Sequence, residues 1–241
     1  MWEPILLSGL AGAITILGIL LVVVWHRRAL QYSHYINSFA AGLLLAAGLT
    51  ALLPRGMEQN AHAPLFALIG FSAFLVLETF LVVHAGAEFH YADKARIPQR
   101  GAVFFWGLFL HSFLDGVVIA VGFATGPRIG LVTAIAVVSH ELPEGITAFS
   151  LLLQHIDRRS AAVRAVAVAL ATPVGGVIGV LSLPALESTV MGAASAAVAG
   201  SFIYIAGADI VPEIREKNAV SNLGFLLAGM LFLIGVHHLL H

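Results

Sequence analysis

Apolar residues along this chain neither alternate nor form narrow stripes; they run in long blocks separated by short polar stretches. A helix needs about 20 apolar residues to cross a hydrocarbon core. Eight blocks reach roughly that length, at about 5–25, 36–53, 65–84, 103–123, 129–153, 163–183, 188–211 and 219–237. They are too long for strands of a membrane barrel and lack the in–out alternation of such strands. The pattern predicts an all-α integral membrane protein with eight transmembrane helices, in one domain over 1–241. Small residues recur at helical spacing within the blocks, as in Gly175–Gly179 and Ala196–Gly200. They let backbones approach closely where lipid supplies no hydrophobic drive between helices.

Composition sharpens the picture. Of 241 residues, 59% are apolar and 10% charged, against roughly a quarter charged in soluble domains. An ordinary water-facing surface is excluded. A net charge of −1 leaves no basic surface for nucleic acid. Cysteine is absent, which removes disulfide frameworks, thiol nucleophiles and thiolate metal sites together.

The charges also orient the chain. No Lys or Arg precedes the first block, and His26-Arg27-Arg28 follows it. This is the flank of a retained span with its N-terminus outside, not of a cleaved signal peptide. With eight spans, ten of the twelve basic residues fall on one side, and only Arg55 and Arg128 on the other. Positive residues stay cytoplasmic. Both termini are therefore expected outside a cell membrane, in extracellular or periplasmic space. The loop after span 3 then faces the cytoplasm; its His84, Glu88, His90 and Asp93 read as a polar loop or a weak metal-collecting segment.

A weak internal repeat is visible. Ala40-Ala41-Gly42 precedes Pro54 by the same distance as Val198-Ala199-Gly200 precedes Pro212. Spans 2 and 7 start on opposite sides, which predicts inverted repeats of three spans flanking a central pair, 3+2+3. Transporters built this way bind substrate near the midplane, at the repeat interface.

The central pair carries what a membrane helix should avoid. Asp115, Glu141 and Glu144 lie within spans 4 and 5. A charge at mid-membrane costs roughly 2.5–3.5 kcal/mol, so three cost on the order of 8–10 kcal/mol unless offset. Span 4 reads His111-Ser112-Phe113-Leu114-Asp115-Gly116, and span 5 reads His140-Glu141-Leu142-Pro143-Glu144-Gly145. Each places a carboxylate four residues after a histidine, on the same helical face. A metal-free hydrogen-bond network is the plain alternative for one such motif. Two matched motifs in neighbouring antiparallel spans favour a cation held by nitrogen and oxygen donors, with zinc and other first-row divalent metals the best fit. Glu141 and Ser112 sit one residue further round, where an adjacent second site is expected. Pro143 deprives the Ser139 carbonyl of its helical donor and is expected to kink span 5 beside these ligands.

These motifs resemble those of the ZIP family of divalent metal transporters. The resemblance covers the whole chain. It implies eight spans, outward termini, the 3+2+3 repeat and, often, a homodimer in the lipid bilayer. It implies a primary site at His111, His140 and Glu144, with Glu144 bridging to a second site near Asp115, Glu141 and Ser112. It also implies metal movement toward the cytoplasm by alternating access. Ligand softness allows Zn²⁺, Cd²⁺, Fe²⁺ and Mn²⁺ as cargo, Zn²⁺ first, and no resident cofactor is expected. Two departures remove potential ligands: Leu44 stands where some bacterial relatives carry Met, and Thr172 where many relatives carry Glu before the span 6 proline.

Asp209 in span 7 reads equally as a pathway residue or a solvated helix end, and Glu78 in span 3 as an interhelical contact rather than a proton-titrating site. His237, His238 and His241 form a polar helix end, and Glu58 and His62 are candidates for an entrance. An intramembrane metal-dependent hydrolase is the alternative function, since His140-Glu141-x-x-Glu144 resembles a zinc-protease helix and Leu114-Asp115-Gly116 the site-2 protease motif. Against it stand the terminal Glu, the reversed order of the two motifs, and Pro143 within the helix. A carrier is the better reading, not an enzyme.

Overall fold

A computed structural model describes residues 2–81, 98–183, 187–210 and 219–239, and among these every element is helical. We label them α1 (Glu3–Ala47), α2 (Leu53–Gln59), α3 (Ala63–Leu81), α4 (Pro98–Thr125), α5 (Pro127–His155), α6 (Arg158–Ser182), α7 (Ser188–Tyr204) and α8 (Ala219–Leu239). Two π-helical turns complete the set: Gly48–Leu52 joins α1 to α2, and Ile205–Ile210 extends α7.

Six helical stretches are long and apolar enough to cross a membrane, and Ala63–Leu77 is a shorter apolar helix. The first two expected spans are joined in one helical run, Glu3–Gln59, of 57 residues. The polar stretch after Trp25 stays helical instead of forming a loop. The run is interrupted at Trp25, whose φ of −132° and ψ of 46° are not helical. The two sides of Trp25 have different neighbours. Upstream, Ser8 lies against Gly176 and Gly12 against the Ala169 carbonyl of α6. Downstream, Gly48 faces Ala199, Gly56 faces Gly192, and Ser195 donates to the Leu52 carbonyl.

Chain ends and caps follow local chemistry. Asp157 caps α6, its carboxylate accepting from the backbone N–H of Arg159 and Ser160, each at 3.0 Å. Hydrogen bonds from Ser160, with that from Arg159, hold this exposed carboxyl below the usual carboxylate range. The π turn Gly48–Leu52 lies just before Pro54, which cannot donate a backbone hydrogen bond; the Leu53 N–H reaches back five residues to the Gly48 carbonyl.

Packing between α4 and α6 relies on absent side chains. A methyl on Gly175 would collide with the Phe113 carbonyl, and one on Gly116 with the Thr172 carbonyl. Glycine therefore sets the α4–α6 distance, and through it the position of Asp115. Two apolar clusters lie along α4 and α5. One gathers Leu44, Val118, Ile119, Val132 and Val137 near the α4–α5 turn. The other gathers Phe104, Leu108, Ala148, Leu151 and Val168 toward the opposite ends.

Gly175→Ala is expected to destabilise the purified protein by about 1–3 kcal/mol through overpacking. Gly9→Ala, where a methyl meets nothing within 4 Å, should be neutral or slightly stabilising. Thermal melts of the two variants in the same detergent check the contrast.

Candidate metal centre

Between the two apolar clusters, α4 and α5 run antiparallel and bring their polar residues to one level. His111 and Asp115 share a face of α4 because they are four residues apart; His140 and Glu144 do the same on α5. One ligand-type atom from each of these four residues lies within 4.8 Å of the others. Asp115 is 1% exposed, Glu144 5% and His111 16% at the side chain. α5 continues as helix through Pro143.

The contacts converge on one oxygen. His111 Nε2 and His140 Nε2 each lie 3.3 Å from Asp115 Oδ2. His140 Nδ1 lies 3.2 Å from the Ala136 carbonyl, one helical turn back. When Nδ1 donates to that carbonyl, the neutral ring presents Nε2 as a lone pair toward Asp115, and either a proton or a metal cation can bridge the two. Such outward anchoring of the far ring nitrogen is what orients an imidazole for a metal.

Glu144 is held on one side only. Ser112 donates to its Oε1, whereas its buried Oε2 accepts no hydrogen bond and lies 4.0 Å from His111 Nε2. The His111 ring packs edge-on against Phe74 of α3 and against His140, with both centroid distances 5.9 Å. Two imidazole nitrogens and two carboxylates form a donor set suited to a divalent ion.

Of the five residues expected to bind metal, four come together and the fifth turns aside. Glu141 is fully buried, but its carboxylate accepts from Thr15 of α1 and, at 3.1 Å, from Thr172 of α6. Ser112 supports Glu144 as a hydroxyl donor. Leu44 lies wholly buried in the apolar cluster at the α4–α5 end. Asp209 falls in the second π turn; its side chain lies outside the described residues, as does that of Glu78. His84, Glu88, His90, Asp93 and His241 also lie outside them. Glu58 pairs with Arg55 at 2.7 Å and, with Arg128 and His237, borders a cleft of about 570 Å³. His62 and His238 are exposed. The sequence reading missed Thr15 and Phe74. The signal for Thr15 was present: Ser8 and Thr15 are the only hydroxyls in an otherwise apolar first block.

A bundle of apolar helices enclosing imidazoles and carboxylates defines a membrane protein able to hold a dication inside. The family model described as "ZIP Zinc transporter" matches residues 83–237. The chain belongs to the ZIP zinc transporter family. It is 32% identical over 142 residues to zinc transporter zipt-7.2 of Caenorhabditis elegans, covering 54% of this chain and 30% of that protein. It is 25% identical over 235 residues to zinc transporter ZIP13 of Pongo abelii, covering 87% of this chain and 66% of that one. It is 22% identical over 236 residues to the uncharacterized protein MJ1036 of Methanocaldococcus jannaschii, with 97% and 95% of the two chains covered. The chain thus spans under a third of zipt-7.2 and about two thirds of ZIP13.

Ser112→Ala removes the donor to Glu144 and leaves a buried carboxylate oxygen unpaired. A stability loss of about 1–3 kcal/mol is expected, read as a lower thermal midpoint in metal-free buffer.

Proposed function

We propose that this protein carries Zn²⁺ across the membrane into the cytoplasm, with His111, Asp115, His140 and Glu144 as the transient ligands. The observation that carries this reading is the convergence of four donor atoms within 4.8 Å, three of them from buried residues, midway along two apolar helices, in a chain of the ZIP zinc transporter family. The relatives named above as zinc transporters favour zinc, while the donor set also accommodates Cd²⁺, Fe²⁺ and Mn²⁺. Family membership favours carriage over hydrolysis.

The site sits between two apolar plugs, one at each end of the α4–α5 pair. An ion leaves only if one plug opens, and a leak is avoided only if the other stays shut. That is the requirement of alternating access. Eight crossings with both termini outside fit this arrangement. A straight helix of 57 residues would run about 85 Å, against a hydrocarbon core of about 30 Å. The contacts support a reversal near Trp25: the start of α1 lies beside the end of α6 at Gly176, and the end of α6 meets Ala120 near the end of α4. The Thr125 carbonyl there accepts from Arg55, which lies beyond the end of α1. The two π turns support the 3+2+3 repeat. Shifting Gly42…Pro54 onto Gly200…Pro212 carries Gly48–Leu52 onto residues 206–210, within the second turn.

In proteoliposomes, Zn²⁺ should move down its gradient. His111→Ala and Glu144→Ala should each reduce the flux at least about tenfold, while both variants still insert. Wild-type flux in both would refute the ligand assignment. Protons compete with metal for imidazole and carboxylate, so uptake should fall steadily from about pH 7.5 to about pH 5.5. A flat profile over that range would contradict histidine ligation.

A further inference from the structure

Glu141 follows a ligand in sequence yet points elsewhere. One step along a helix rotates a side chain by about 100°, which turns Glu141 from the α4 side toward the seam between α1 and α6. There both carboxylate oxygens are taken: Oε2 accepts from the Thr15 hydroxyl and Oε1 from the Thr172 hydroxyl. Glu141, Thr15 and Thr172 are each completely buried. The neighbouring backbones are closed around them. Gly145 lies against the backbone of Thr15, and Gly116 against the carbonyl of Thr172, with no space for a methyl group at either glycine.

A second dication at this place would have to displace two hydroxyl donors and would find Glu141 as the one carboxylate of the seam, the nearby Asp115 and Glu144 being directed to the four-residue cluster. Zinc sites draw on several imidazole, thiolate or carboxylate ligands. The four-residue cluster supplies these; the Glu141 seam does not. The two carboxylates of the cluster also balance the charge of a single dication.

From this geometry we propose that the centre takes one dication per chain, and that Glu141 is a positioning residue, tied by Thr15 and Thr172, that fixes α1 and α6 against α5 behind His140. Thr172 is then a determinant of metal count: its hydroxyl occupies the carboxylate oxygen that a second ion would need. The inference deepens the transport reading and rests on it.

The test is equilibrium dialysis of the purified full chain in nanodiscs against buffered Zn²⁺ alone, with bound metal counted by elemental mass spectrometry. One ion per chain is expected for the wild type. Glu141→Gln keeps the side-chain shape and should still bind one ion, with Kd within about threefold, because no ligand is lost. Thr172→Asp sets a second carboxylate beside Glu141 and should raise the count to two. A purely packing role for Thr172 would not change stoichiometry. Two ions in the wild type, loss of the ion in Glu141→Gln, or a count fixed at one in Thr172→Asp would each overturn this inference while leaving the transport reading intact. No ion bound to the wild type would overturn the transport reading itself.

Discussion

Three carboxylates lie inside an apolar helical bundle, and among the described residues their partners are imidazoles and hydroxyls rather than lysine or arginine. Removing a carboxylate from water without compensation costs far more than a helix pair can supply by packing. The protein meets this constraint in two ways. Glu141 is surrounded by hydroxyl donors from two other helices and becomes part of the scaffold. Asp115 and Glu144 are left facing imidazole nitrogens, with one Glu144 oxygen unbonded. The second arrangement leaves imidazole and carboxylate donors that suit a divalent cation.

The rest of the bundle serves that difference. Glycines bring α4 and α6 into backbone contact at Phe113–Gly175 and Gly116–Thr172. The same contacts set Asp115 at the level of His140, and set Thr172 within reach of Glu141. Apolar clusters flank the polar layer toward both ends of the α4–α5 pair, and such low-dielectric surroundings strengthen the attraction between these donors and a cation relative to solvent. The proposed carrier function requires that this pull be relieved by opening one plug at a time; the two π turns, Gly48–Leu52 and Ile205–Ile210, are places where helix geometry is loosened.

Much of this was legible from sequence because the membrane restricts what a chain can do. Long apolar blocks forced helices, and polar residues at i and i+4 within them stood out against a background that should exclude charge. Four of the five expected ligands converge for that reason. Glu141 was harder. Its identity and buried location were readable, but whether it faced the ion or the scaffold depended on Thr15, which is 126 residues away in sequence. No local pattern encodes that contact. The joining of the first two blocks into one helical run was likewise hidden: His26-Arg27-Arg28 reads as a loop by polarity, yet those residues keep helical geometry beyond a single irregular position at Trp25. The carbonyl-level packing of glycines was visible as composition but not as a set of partners.

The geometry places His111, Asp115, His140 and Glu144 to share one ion, and X-ray absorption at the zinc edge on the loaded protein reads that shell. A shared ion gives nitrogen and oxygen neighbours at about 2.0–2.2 Å, with the outer-shell scattering of two imidazoles, and one imidazole fewer in His140→Ala. A zinc shell built only of oxygens, unchanged by that substitution, would contradict it.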